Sequence, residues 1–316
     1  MRDLGSGSPK ARAAAAHALG SVTDAVEKRR AVDALIRALD DDRPEVRSEA
    51  CASLGELREP GALPMLLKRL DDGVAGVRQN AAIALGTIGH PDAFEPLAEA
   101  LRSGPADLRY QAATSLAEID PVRALEPALA ALADRDPQVV GAAALAIGAI
   151  GERERERVIA ALKATLDHSD AGARFEVAYA LAELKDASGR EVLATRTTDV
   201  AHAWDAVTAL GWLGAGAAGE LRATVASKKV PQEAHVLAAG RLLAVVPDDA
   251  AARKLVLDAL TTRKPNVRGL AIEQLAEVGG AWAKDPLEKL AHSGKGGVHL
   301  EAIAAALRAI DERGAP

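Results

Sequence analysis

The chain has 316 residues, 49% of them hydrophobic but only 2% aromatic, and a net charge of −6 from 39 basic and 45 acidic residues; that acidic balance argues against a general binder of nucleic-acid phosphates. A single cysteine, Cys51, excludes an internal disulfide framework and a cysteine-rich metal site, and inside a helix it reads as a small buried thiol. No stretch approaches the ~18 apolar residues of a membrane span and residues 1–5 lack an apolar signal core, so a cytoplasmic protein is expected, bacterial by its Ala- and Arg-rich composition.

Read in chain order, one phrase returns about every 31 residues. One copy is Arg43-Pro44-Glu45-Val46-Arg47-Ser48-Glu49-Ala50-Cys51-Ala52-Ser53-Leu54-Gly55. The next is Val74-Ala75-Gly76-Val77-Arg78-Gln79-Asn80-Ala81-Ala82-Ile83-Ala84-Leu85-Gly86. A fixed period of this length marks stacked units that cannot bury their apolar faces alone. Each phrase ends on an apolar anchor: Leu19, Leu54, Leu85, Leu116, Ile147, Leu181, Leu210, Leu242, Leu275, then Ala306 or Leu307. Small residues stand four places earlier, and Val46, Val77, Leu108, Val139, Ala173 and Val267 stand eight places earlier. Those positions share one side of a helix, here termed B.

A first helix, A, precedes each B, with expected ranges 31–39, 63–70, 94–101, 125–132, 158–166, 191–197, 220–226, 253–260 and 286–291. Pro64, Pro96, Pro127 and Pro286 fall near the expected starts, where a missing N–H costs nothing. Glycines 20, 55, 86, 148 and 211 follow the anchors and either form a left-handed cap or let the next helix approach. Aspartates in the A-to-B turns, from Asp41 and Asp72 to Asp134, Asp136 and Asp170, can cap the B helices. The chain opens almost directly on a B helix, so the first unit reads as half present. The run from Gly151 to Arg157 reads as a charged, solvated helical extension.

The Asp-rich turn, the Val-Arg pair and the Ala-x-x-x-Leu-Gly ending resemble the HEAT-repeat family, within it the short, Ala-rich bacterial type similar to phycobilin-lyase HEAT-like repeats. The resemblance implies an all-α fold: a right-handed α-solenoid of stacked antiparallel helix pairs, one array over residues 1–316 with about nine and a half repeats. It weakens after Leu181, where the arginine slot holds Ala203 and then His235. A HEAT-repeat iron hydroxylase of the deoxyhypusine type carries repeated His-Glu pairs. Here Ser48-Glu49, Gln79-Asn80 and Tyr110-Gln111 stand instead, so no metal and no other cofactor is expected, and no catalytic set emerges.

The repeated arginines Arg12, Arg47, Arg78, Arg109, Arg174 and Arg268 lie close to the anchor direction and read as a structural ladder, with turn aspartates of the same or the adjacent unit as partners. Opposite the core, six, five and two places before the anchor, lie Tyr110, Phe175, Glu176, Tyr179, Trp204 and Asp205. HEAT architecture would put these on the concave face, with Trp212 nearby. Aromatics beside acids suit a basic or amphipathic protein segment; the competing reading is that the rings fill space between neighbouring B helices. The functional expectation is a non-catalytic scaffold or adaptor for a partner protein or peptide, with no nucleic acid and no membrane insertion. The alternative, implied by the resemblance, is a lyase or chaperone-like subunit acting on a protein-bound tetrapyrrole.

Overall fold

The computed structural model describes residues 2–150, 154–293 and 299–314. Among them are nineteen α-helices and no strand. They fall into two compact units, Met1–Glu176 and Val177–Pro316. In the first, B helices α1 (Pro9–Gly20), α3 (Pro44–Glu56), α5 (Ala75–Ile88), α7 (Ala106–Ile119) and α9 (Pro137–Ile150) alternate with A helices α2 (Ala25–Ala38), α4 (Leu63–Arg69), α6 (Phe94–Ser103), α8 (Pro121–Ala131) and α10 (Arg155–Thr165). The B helix α11 (Ala171–Glu183) contains the division. The second unit continues with pairs α12 (Arg190–Arg196) and α13 (Ala203–Trp212), then α14 (Ala218–Ala226) and α15 (Gln232–Val245). Pairs α16 (Ala250–Leu260) and α17 (Pro265–Val278), then α18 (Lys284–His292) and α19 (Leu300–Gly314), complete it.

Burial explains the helix pattern. The anchors from Leu54 to Leu275 are at most 1% exposed, and the small residues one turn earlier are as deeply buried. Within each unit successive B helices pack on one another, α1 on α3, α3 on α5 and α5 on α7, then α13 on α15 and α15 on α17. The post-anchor glycines decide how close they come. A Cβ on Gly55 would lie 2.9 Å from Cα of Ala84, and one on Gly86 would lie 2.9 Å from Cβ of Ser115. Close approach, not left-handed capping, is their role; both lie inside their helices. The left-handed cap falls instead to Gly89, with φ of 71°.

Several A helices start earlier than the apolar pattern suggests. Asp24 caps α2 through the N–H groups of Val26 and Glu27, and Asp120 caps α8 through those of Val122 and Arg123. Pro127 therefore sits inside α8 rather than at its start. The charged stretch 151–157 lies partly outside the described residues; within them Arg157 pairs with Glu126 and Glu154.

Candidate partner-binding face

The arginine slot ties successive repeats of the first unit together. Arg12 grips Asp41 through Nε and Nη2, both at 2.8 Å, and Arg47 grips Asp72 at the same two distances. Arg78 holds Asp107 at 2.8–3.1 Å, and Arg109 holds Asp134 at 2.7 Å twice. Each partner belongs to the following repeat: Asp41, Asp72 and Asp134 to its A-to-B turn, and Asp107 to the first turn of α7. The remaining Nη1 donates to a carbonyl of the arginine's own turn: Ser6, Asp41, Asp72 and Gly104 respectively. Arg174 donates to the carbonyls of His168 and Ser169.

These aspartates do not cap the B helices. Asp41, Asp72 and Asp134 accept the N–H two residues on, from Arg43, Val74 and Asp136, and so fix the turn that presents them. Capping falls to Asp136 and Asp170. The hydrogen bond from Arg12 outweighs desolvation and holds the Asp41 carboxyl at about 2; Asp72 is lowered beside Arg47 in the same way. Burial pushes Asp134 up, but Arg109 and the Asp136 N–H together bring it below its ordinary value. In the second unit the slot holds Ala203 in α13 and His235 in α15, whose Nε2 lies 2.8 Å from the Val225 carbonyl.

On the opposite side of the B helices, polar pairs run from α1 to α5 in the first unit. His17 lies 3.3 Å from Glu49, and Asn80 donates to the Ser48 hydroxyl at 2.8 Å. Tyr110, on α7, is 40% exposed. Phe175 departs from the expectation: at 3% exposure it is core, and no partner can reach it. The preceding B helix carries Gly141 and Ala142 at the matching places, small enough for α11 to close in; a Cβ on Gly141 would lie 3.1 Å from Cγ of Glu176. Glu176 is half-buried.

In the second unit Trp204 is 47% exposed on the first turn of α13, and Asp205 beside it is also exposed. Tyr179 is half-buried and meets Trp212 edge-on, with ring centroids 5.0 Å apart and planes at 71°. Lys185 Nζ sits over the Trp212 ring at 5.6 Å. Tyr179 and Trp212 are thus one packed pair, while Trp204 presents its ring to solvent. The expected six residues fall in both units, Tyr110, Phe175 and Glu176 in the first and Tyr179, Trp204 and Asp205 in the second.

Among the exposed apolar residues that spacing does not single out are Val26, Val122 and Leu300, and, nearer the candidate face, Ile83 and Val200. Ile83 is 41% exposed two places before the α5 anchor, the position that singled out Tyr179, and only the restriction to aromatics concealed it. Val200, 87% exposed in the turn before α13, carries no periodic signal. Cys51 is buried, and desolvation raises its thiol to about 12, which leaves no thiolate for chemistry. No cluster of three or more metal-ligating side chains occurs among the described residues, and no described helix is long and apolar enough to cross a membrane.

Helix pairs stacked through B helices and tied from turn to turn define an α-solenoid protein. The family profile described as HEAT repeats matches residues 3–86, 58–117, 73–148 and 94–182, more than half of the chain, and the protein belongs to that family. YibA from Escherichia coli is 18% identical, with a TM-score of 0.54 over 97% of this chain and 98% of its own. The Kap95:Nup1 complex gives 13% identity and a TM-score of 0.66 over 96% of this chain, which spans 50% of that one. The complex of CpcE and CpcF of phycocyanin lyase from Nostoc gives 23% identity and a TM-score of 0.39 over 84% of this chain and 91% of that one. No curated protein matches significantly.

Proposed function

We propose that this protein is a non-catalytic scaffold or adaptor that holds a basic or amphipathic segment of a partner protein on the solvent face of its B helices. One observation carries the reading. Of seven aromatic side chains only Tyr110 and Trp204 are exposed among large hydrophobics, one in each unit, and both sit on that face. Exposing such rings to water is costly unless something covers them, and Tyr and Trp are the side chains most often found as interface anchors. Asp205, next to Trp204 in the chain, and the net charge of −6 favour positive charge in the partner. Phe175 drops out as an anchor and Tyr179 serves as support through Trp212.

The reading is tested with synthetic amphipathic helical peptides whose polar face is either basic or acidic. Basic peptides should bind wild type, more weakly as salt rises. Tyr110→Ala and Trp204→Ala should each weaken binding by roughly tenfold, about 1.4 kcal/mol. Equal binding of basic and acidic peptides, or no loss in either variant, would overturn it.

A further inference from the structure

One A-to-B turn of the first unit is built differently from its neighbours, and a groove lies beside it. After α2, α4 and α8 the turn carries the aspartate that the preceding repeat's arginine grips. After α6 the turn is only Gly104-Pro105, without an acid, and the carboxylate comes from Asp107 inside α7. The groove, of about 540 Å³, runs between α4 and α6. Its apolar lining is Leu67 and Leu70 from α4 and its end, Pro96 and Ala100 from α6, then Pro105 and Leu108. Its ionised lining is Asp71, Asp72, Glu99 and Arg78. Two of these four are satisfied within the fold: Asp72 by Arg47 at 2.8 Å, and Arg78 by Asp107 at 2.8–3.1 Å. Asp71 is exposed and enters no ion pair among the described residues. Glu99 is also exposed and is held by Arg102 and Ser103 on its own helix, a surface pairing that is worth little and exchanges readily.

The second unit holds a groove of the same register between α16 and α18, of about 350 Å³. Leu257 and Leu260 stand for Leu67 and Leu70, Pro286 for Pro96, and Leu290 for Ala100. Its charge is different. Thr261 stands for Asp71 and Lys289 for Glu99, and Asp285, which also lines it, is paired with Lys289 at 2.6 Å. The second groove is therefore charge-balanced, while the first presents two carboxylates to whatever lies on its leucines. Leu67 and Pro96 are half-exposed, and Asp71, Glu99, Ser103 and Pro105 are exposed, so the first groove is open along its length. A ligand pocket encloses most of a small molecule, and an open groove does not; it suits a stretch of protein with an apolar face. Lysine matches apolar walls under carboxylates, because its stem lies on hydrocarbon while the ammonium stays at the rim.

We propose that the groove between α4 and α6 docks a lysine-bearing amphipathic segment of a partner protein, its ammonium groups meeting Asp71 and Glu99 and its apolar side chains lying on Leu67, Leu70 and Pro96. This surface belongs to the A helices and uses neither Tyr110 nor Trp204, so it stands or falls apart from the reading of the B-helix face. The probes are hexylammonium, hexanol, hexanoate and a helical peptide of leucines flanked by lysines, added to the wild-type chain at constant pH and ionic strength. Methyl NMR reads each groove separately. Hexylammonium should shift Leu67, Leu70 and Leu108 more than hexanol or hexanoate does, while Leu257, Leu260 and Leu290 should not favour the cation. The peptide should bind the first groove more tightly than hexylammonium. Asp71→Asn with Glu99→Gln changes only exposed side chains and should weaken both cations there by about three- to fivefold. Tyr110→Ala with Trp204→Ala should leave the shifts in this groove unchanged. The proposal is overturned if hexanol matches hexylammonium in the first groove, if both grooves respond alike, if the peptide gains nothing over the free amine, or if the Asp71→Asn, Glu99→Gln chain binds as wild type does. The comparison of the two grooves needs no variant, so misfolding of a substituted chain does not leave the question open.

Discussion

At the residue scale the arginine slot shows what spacing can and cannot tell. Its position close to the anchor marks it as structural before any coordinates are known, but spacing leaves open whether the aspartate comes from the same repeat or the next. The structure answers with the next repeat throughout Arg12, Arg47, Arg78 and Arg109. A carboxyl whose folded pKa is depressed contributes stability that is complete above its unfolded pKa and is lost as pH falls through the folded one. With Asp41 at about 2 against an ordinary 3.8, its contribution should be constant above about pH 5 and decline between about pH 4 and 2. The difference in urea midpoint between wild type and Asp41→Asn should therefore shrink over that range; a difference that stays constant to pH 2 would show that the rung is not set by charge. Cys51 offers a second check: its buried, high-pKa thiol should resist iodoacetamide in the folded chain and react on unfolding. Rapid alkylation of native protein would contradict the packing of α3. Helical angle alone misjudged Phe175, because exposure also depends on the neighbouring helix, and Gly141 and Ala142 leave room that Tyr110 and Trp204 do not have.

At the element scale, B helices were readable because three apolar positions per unit recur at helical spacing, while A-helix starts were not. The first turn of α2 is Ala25-Val26-Glu27-Lys28, half polar and largely exposed, so periodicity is silent there and only the Asp24 cap marks the boundary. Glycine after the anchor was readable as special but ambiguous in role. Its role can be tested by contrast with Gly76 in α5, where a Cβ would find nothing nearer than 4.0 Å. Gly55→Val should destabilise by about 1–3 kcal/mol because the obstacle is the backbone of Ala84. Gly76→Ala should be neutral or stabilise by about 0.5 kcal/mol. Urea denaturation of both variants decides; equal effects would mean that B-helix spacing is not limited at Gly55.

At the scale of the molecule, the repeat period and the Asp-rich turns carried the fold class and the family, because every unit restates the same packing problem and so reinforces the signal. Function leaves no such periodic trace. A solenoid surface can serve many partners, and a binding residue needs to occur only once. Tyr110 and Trp204 stand out through exposure in a chain almost without aromatic residues, a property visible only after folding. The central claim is that they anchor a partner protein, and the most direct measurement is capture from the native host's lysate. Immobilised wild type is compared with a Tyr110→Ala, Trp204→Ala double variant of matched helicity and melting temperature. The account predicts a protein retained by wild type and lost from the variant, and released from wild type by salt. Identical sets retained by both chains would contradict it, and would make the two exposed rings incidental to binding.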